Sequence, residues 1–196
     1  MRNSEDIRDA VRKAYSVAAE NPLGKHAFPV GRAFAESVGY PQELLAGLPG
    51  VVVEAFTGVS NVSVRAEIPE GAAVLDVGCG AGLDALVAAR RAGPTGRVIG
   101  VDFSRSMLSL ARRAAEEAGL SRVLFCEAAA ENLPLRDASI DVALVNGIFN
   151  LNPAREAIFR ELARVLRPGG ALYAAELVLS EPLPAEVCAS ESNWFA

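Results

Sequence analysis

Two rhythms of apolar and polar positions run along this chain, and the change between them falls near residue 70. Beyond it, short apolar runs rich in β-formers alternate with stretches of helical periodicity. Ala73 to Val77 (AVLDV) is the first such run, and it ends in glycines. Leu83 to Ala92 is made of helix formers and stops at Gly93-Pro94, a strong breaker. Arg97 to Val101 (RVIGV) reads as the next strand. The following helix takes Ser104 as its N-cap and runs to Ala118, with Gly119 just past its end. Its Met107, Leu108, Ala111, Ala114, Ala115 and Ala118 share one apolar face. Val123 to Cys126 and Ile140 to Val145 are two further strands. A helix opens at Asn152-Pro153 and continues through Ile158, Phe159, Leu162, Val165 and Leu166. Arg164 and Arg167 lie near its negative end, Pro168-Gly169-Gly170 stops it, and Leu172 to Leu179 forms the fifth strand. Near-continuous apolar strands separated by helices predict an α/β fold, with a doubly wound, mostly parallel sheet covered by helices on both faces.

Residues 1–70 follow the other rhythm. Ile7, Val11, Ala14, Tyr15 and Ala18 line one face of an amphipathic helix from about Ser4 to Glu20. Prolines and glycines from Pro22 to Gly50 then cut the segment into short pieces, which predicts small helices and turns packed on the core. The expected organisation is a helical extension or cap over 1–70, the α/β domain over 71–180 and a tail over 181–196.

Composition narrows the class of function. The 196 residues are 51% hydrophobic and 22% charged, enough apolar surface to bury a core and too little charge for a disordered chain. A net charge of −5 gives no pull toward nucleic acid or an anionic membrane. No apolar run is long enough to span a bilayer, and the charged start MRNSEDIRDAVRK has no signal core. Cys79, Cys126 and Cys188 are scattered and odd in number, which fits neither a disulfide framework nor a zinc site. A reducing, cytoplasmic setting is expected, with no metal, no nucleic-acid partner and no membrane partner.

The stretch Val74-Leu75-Asp76-Val77-Gly78-Cys79-Gly80-Ala81-Gly82 carries the chemistry. A strand enters a glycine-rich turn before a helix, where missing Cβ atoms let the backbone turn sharply and approach a ligand. Val98 to Asp102 is a strand ending in a carboxylate, twenty residues after Gly82, the spacing of an acid that holds ribose hydroxyls. The glycines read GxGxG; the third glycine of a dinucleotide fingerprint would fall at position 83, which is Leu83. Asp76 before the loop suits a ligand with an amino group and a sulfonium centre, and would oppose a pyrophosphate. No Lys precedes a Ser or Thr as in a P-loop.

Together DVGCGAG, GVDFS, AENLPL and ELARVLRPGG resemble class I S-adenosylmethionine-dependent methyltransferases, over about residues 65–180. SIDVALVNGIFNLNP with the arginine-rich helix after it is similar to the branch containing arsenite methyltransferases. The resemblance implies a Rossmann-like fold, S-adenosylmethionine as cofactor, S-adenosylhomocysteine as product, and methyl transfer to a small-molecule acceptor. It implies that Asp76, Gly78, Cys79, Gly80 and Gly82 shape the methionine pocket. Asp102 would accept from both ribose hydroxyls, with Phe103 against the adenine and Met107 on its other flank. Ala130 and Glu131 would sit at the adenine edge, and Asn146 and Gly147 next to the transferable methyl. It leaves the catalytic residues unassigned and the oligomeric state open, a homodimer included.

Three departures from the family bear on function. Relatives often carry Asp where this chain has Ala129, so a polar anchor for the adenine amino group is missing, a loss of about 1 kcal/mol. The segment FTGVSN resembles the place of a metalloid-binding cysteine and offers Val59, which argues against arsenic. Two further strands usually follow the fifth, and the residues after Leu179, with Pro182 and Pro184, leave no room for them. A shortened chain is expected. A catalytically inactive or truncated binding module is the alternative function; an NAD-dependent oxidoreductase is disfavoured by Leu83. Elsewhere, His26 reads as a surface residue, Tyr15 as core and Cys126 as buried and inert. Glu176 reads equally as facing the substrate cavity or pairing with an arginine.

Overall fold

The computed structural model describes residues 4–22, 24–178 and 180–181. Among these residues five strands form one sheet: β1 (Ala73–Val77), β2 (Arg97–Asp102), β3 (Val123–Glu127), β4 (Ile140–Asn146) and β5 (Leu166–Ala175). Their order is β3-β2-β1-β4-β5 and every pairing is parallel, the expected Rossmann-like α/β architecture. The chain steps outward from β1 to β3 and then crosses back to place β4 on the other side of β1. That reversal opens a crevice at the carboxyl ends of β1 and β4, the place where such sheets bind ligands.

Strand alternation divides the core in two. Val74, Val98, Val142 and Leu144 share a core with α6 (Leu83–Ala92) and with Ala114 and Ala115 in the last turn of α7 (Arg105–Glu117). Leu75, Val77, Val101, Ala143 and Val145 face α8 (Arg155–Val165) through its Ile158, Leu162 and Val165. Parallel partners point to the same side of a sheet, so the register Asp76↔Gly100 and Asp76↔Leu144 has a chemical consequence. Asp102 and Asn146, each two residues past those partners, emerge on the same face as Asp76.

The segment before the sheet breaks into short helices as its prolines and glycines dictate: α2 (Arg32–Ser37), α3 (Gln42–Ala46), α4 (Gly50–Glu54) and α5 (Val62–Arg65). They belong to the main core: Leu45, Val52 and Val53 are fully buried with Leu86 and Leu144. Each such side chain contributes about 1.5–3 kcal/mol of burial. The helix α1 (Ser4–Glu20) lies across α7, where Ala18 and Ala19 pack with Met107 and Ala81.

Helix α7 starts as expected, with Ser104 accepting from the Met107 N–H at 3.4 Å. Gly119, at φ +68°, closes its C-terminus. The end of the sheet differs from expectation. Helix α8 stops at Val165, and β5 starts at Leu166, six residues before the expected strand and without Leu166 in the helix. Leu166 pairs with Ile140, the register shifts, and pairing resumes at Val142↔Ala171. Pro168-Gly169-Gly170 therefore forms an irregularity in the strand that is outermost among the described residues, where a missing N–H is tolerated, and Arg167 pairs with Asp141 at 2.5 Å. Cys126 is only half-buried, because β3 is the opposite edge and its neighbour Leu124 is 63% exposed. Cys188 and the expected absence of later strands fall on residues outside the described ones.

Candidate functional site

A cavity opens over the carboxyl ends of β1, β2 and β4, roofed by α1. Its floor is the glycine loop. Gly78 and Gly80 take φ values of +72° and +52°, the left-handed region that favours glycine. A Cβ on Gly78 would strike Ile148, whereas one on Gly80 would meet nothing within 4 Å and would project into open space. The loop is tied to β2 by Gly78 N–H and Cys79 N–H, both donating to the Val101 carbonyl at 2.8 and 3.1 Å.

Three buried carboxylates face this space: Asp76, Asp84 and Asp102. Asp102 accepts from Gly80 N–H through Oδ2 at 2.9 Å and from Ser104 N–H through Oδ1 at 2.8 Å. Burial raises its pKa, and these backbone donors offset part of the rise. Asp76 is 1% exposed, and its Oδ2 has no hydrogen-bond partner among the described residues. Burial pushes its pKa well up, Asp84 and Asp102 push it further, and the Ala85 N–H offsets part of this. Asp84, on the first turn of α6, accepts from Tyr40 Oη, from Ser63 N–H at 3.2 Å and from Asn146 Nδ2 at 2.8 Å. The same burial, with Asp84 alongside, holds the Tyr40 phenol well above its usual range.

The roof is polar at one end and apolar at the other. Arg8 forms an ion pair with Glu131, whose other oxygen accepts from Asn152 Nδ2 at 3.2 Å. Arg12 lies 5.7 Å over the Phe103 ring, a cation–π contact. Tyr15 stacks on Phe28 with centroids 4.7 Å apart. Burial, with the charges of Asp102 and Glu176, pushes the Tyr15 phenol far above its ordinary range. Val52, Phe56, Ile148 and Leu151 complete the apolar end.

Asp76, Gly78, Cys79, Gly80, Asp102, Phe103, Ala130, Glu131 and Asn146 thus come together on one cavity. Two expected residues do not reach it. Gly82 caps α6 at φ +92°, and a Cβ there would press on Ala111 and Phe125 at 3.1 Å, so its role is helix packing. Met107 is 1% exposed beneath α1, which covers the flank it was expected to present. Asn146 lines the cavity, but its amide is spent on protein partners: Oδ1 accepts from Val59 and Ser60 N–H at 2.8 and 3.1 Å. Among the described residues Glu176 pairs with no arginine; its carboxylate accepts from the Phe149 and Asn150 N–H groups and so shapes the loop after β4. Tyr15 is a wall of the cavity more than core, and half-buried His26 bonds the Asn21 carbonyl at 2.8 Å. Sequence reasoning missed Arg8, Arg12 and Asp84. An acid inside the apolar stretch LDALVAA was the available signal for Asp84.

The family described as "Methyltransferase domain" matches residues 68–195. The chain belongs to this methyltransferase-domain family. An arsenite methyltransferase of Halobacterium salinarum is 35% identical over 153 residues, 78% of this chain and 39% of that protein. A demethylmenaquinone methyltransferase of Halalkalibacterium halodurans is 35% identical over 113 residues, 57% of this chain and 46% of that protein. The chain therefore spans less than half the length of these curated relatives. Among solved structures, the arsenic(III) S-adenosylmethionine methyltransferase of Chlamydomonas reinhardtii aligns with a TM-score of 0.64 at 29% identity, covering 86% of this chain and 57% of that one. S-adenosylmethionine is the cofactor of this family, and the residues present fit it. The unpartnered Asp76 oxygen suits an ammonium group, and Gly80 leaves open the space that a Cβ would fill. Among the described residues no helix is long and apolar enough to cross a membrane.

Proposed function

We propose that this cavity holds S-adenosylmethionine and that the chain catalyses methyl transfer to a small organic acceptor in a reducing, cytoplasmic compartment. The observation that carries the reading is Asp76: a buried carboxylate, unpartnered at Oδ2, beside a glycine-walled space at the switch point of the sheet. In this reading Asp76 takes the amino group of the cofactor. Backbone at Gly78, Cys79 and Gly80 borders its methionine part, Asp102 takes the ribose hydroxyls, and Phe103, Ala130 and Glu131 border the adenine. When bound, the cofactor supplies an electrophilic methyl group on a positively charged sulfur.

The chain's own groups prepare the site for that charge. Asp76, Asp84 and Asp102 gather acidic groups on a cavity that also has apolar walls, a setting that favours a cationic ligand. Holding two reactants in line supplies much of the acceleration such a transfer needs. In this reading the described residues around the cavity leave no base for the acceptor. Asp76 and Asp102 take groups of the cofactor, Asp84 and Glu131 are committed to protein donors, and the Tyr15 phenol stays protonated, able to donate a hydrogen bond but not to take a proton. The acceptor must therefore bring a nucleophile that ionises unaided, a thiol or selenol before an alcohol or amine.

Arsenite fits less well than an organic acceptor. Val59 stands where the resemblance places a metalloid-binding cysteine, and it packs toward Gly147. Ala129 supports a second reading, a binding module without turnover, since it leaves the adenine edge one polar contact short. The test is single-turnover transfer from tritiated S-adenosylmethionine to arsenite, to menadiol and to 2-naphthalenethiol. Transfer to the thiol above the others is the expected result. Arsenite as the one labelled acceptor would overturn the acceptor assignment, and tight cofactor binding with no transfer to any of them would favour the binding module.

A further inference from the structure

Asn146 occupies a position where the orientation of its amide decides what it can hold. Its Nδ2 donates to Asp84 Oδ2 at 2.8 Å and to the Ser60 carbonyl at 2.7 Å, while its Oδ1 accepts from the N–H groups of Val59 and Ser60. The backbone passes so close that a Cβ on Gly58 would overlap the Asn146 side chain, and one on Gly147 would come within 3.0 Å of Val59. Thr57 and Gly58, just before these contacts, line the cavity. The loop is therefore fastened to the end of β4 by one amide group, 86 and 87 residues away in sequence.

A carboxylate can only accept, so Asp84 forces Asn146 to turn its NH₂ toward it. That choice leaves the Asn146 carbonyl oxygen facing the loop, where both partners are N–H donors. Asp84 is itself fixed, because its Oδ1 accepts from Tyr40 Oη and Ser63 N–H on the far side. We propose that Asp84 is a positioning residue of the methyltransferase site: by setting the Asn146 amide it holds the loop at Thr57–Ser60 as the acceptor-side wall of the cavity. The proposal rests on reading this cavity as the methyl-transfer site, but the arrangement is testable in the cofactor-free protein.

The same hydrogen-bond logic specifies an exchange of residues that should work. In Asp84→Asn, Oδ1 keeps Tyr40 and Ser63, and the new NH₂ meets the NH₂ of Asn146; if Asn146 flips, its NH₂ meets the loop N–H groups instead. In Asn146→Asp, two carboxylates face each other. In the double variant, the NH₂ of residue 84 donates to the carboxylate of residue 146, whose other oxygen accepts from Val59 and Ser60. The Ser60 carbonyl alone is worse off, losing its donor and facing a carboxylate oxygen of residue 146 in its place.

The experiment is backbone hydrogen exchange in the full chain without cofactor, followed at Val59 and Ser60 and, as reference, in β1. Each single variant is expected to speed exchange at Val59 and Ser60 by about tenfold or more relative to β1, a local opening and not a global one. The double variant is expected to return both amides to within about threefold of wild type. Tyr40→Phe, which removes one of the two groups that fix Asp84 but leaves its carboxylate facing the Asn146 amide, should raise their rates less than either single variant does. Wild-type rates in Asp84→Asn, or a double variant no better protected than the singles, would overturn the proposal. Should the singles fail to fold, a folded double variant with protected Val59 and Ser60 supports it, and an unfolded one overturns it. Because no cofactor is present, a negative result leaves the assignment of the cofactor site standing.

Discussion

Replacing Asp76 by Asn should make the protein more stable and less able to bind its cofactor. The side chain is 1% exposed and its Oδ2 lacks a partner, so the folded chain carries the penalty of a buried, unsatisfied charge. Leaving a buried polar group unpaired costs about 1–3 kcal/mol, more when it is charged. An asparagine amide is neutral and can donate toward the neighbouring carboxylates, which removes most of that penalty. The cofactor-free variant should therefore gain roughly 1–2 kcal/mol, which for a chain of this size raises Tm by about 2–8 °C. The pH dependence has a definite sign. The folded-state pKa of Asp76 is raised above its ordinary 3.8, so folding favours the protonated acid, and the wild type loses stability as pH rises from that value through the raised pKa. The variant has no such group, so the two proteins should be equally stable below about pH 4 and diverge above it. Binding should move the other way. A charge-assisted hydrogen bond to an ammonium contributes about 1.5–3 kcal/mol, or about 10- to 150-fold in Kd. Urea unfolding at several pH values, with calorimetric titration of S-adenosylhomocysteine, measures both effects. A variant that is less stable than wild type at pH 7 and binds the product within threefold would refute the reasoning.

Three other substitutions probe the remaining parts of the site and its support. Gly80→Ala places a methyl in open space at φ +52°, so unfolding should show a loss of only about 1–2 kcal/mol, while calorimetry shows weaker S-adenosylhomocysteine binding. Gly78→Ala, which would strike Ile148, should be the more destabilising of the two. Arg8→Ala removes the half-exposed ion pair to Glu131 that holds α1 over the cavity. Product release measured by stopped flow should quicken by up to about fivefold, with the gap to wild type narrowing in high salt. Leu45→Ala empties a fully buried position shared between α3 and the sheet-facing core, and should cost about 2–5 kcal/mol in urea unfolding.

What was legible in the sequence is what local chemistry dictates. The strand AVLDV, the glycine turn and the Ser104 cap each lie within a few residues, and the structure has all three. The fifth strand was misplaced because Pro168-Gly169-Gly170 has the composition of a helix stop, and only the pairing of Leu166 with Ile140 shows that the strand has already begun. The family resemblance puts Met107 and Gly82 on the ligand wall, but α1 and α7 claim their surroundings, a packing decision that no local pattern records. Asp84 was missed for a related reason. Its partners Tyr40, Ser63 and Asn146 lie 44, 21 and 62 residues away, and only the fold brings them together. Asn146 emerges at the cavity from the end of its strand, yet its amide holds a loop, since the register sets where a side chain emerges and its neighbours set its use.

The most direct measurement is calorimetric titration of the intact chain with S-adenosylhomocysteine and, in parallel, with NAD. Saturable one-to-one binding of S-adenosylhomocysteine in the micromolar range is expected, weakened in Asp76→Asn and in Gly80→Ala, with no binding of NAD. No heat from S-adenosylhomocysteine at millimolar concentration, or saturable binding of NAD in its place, would contradict the assignment of the cavity.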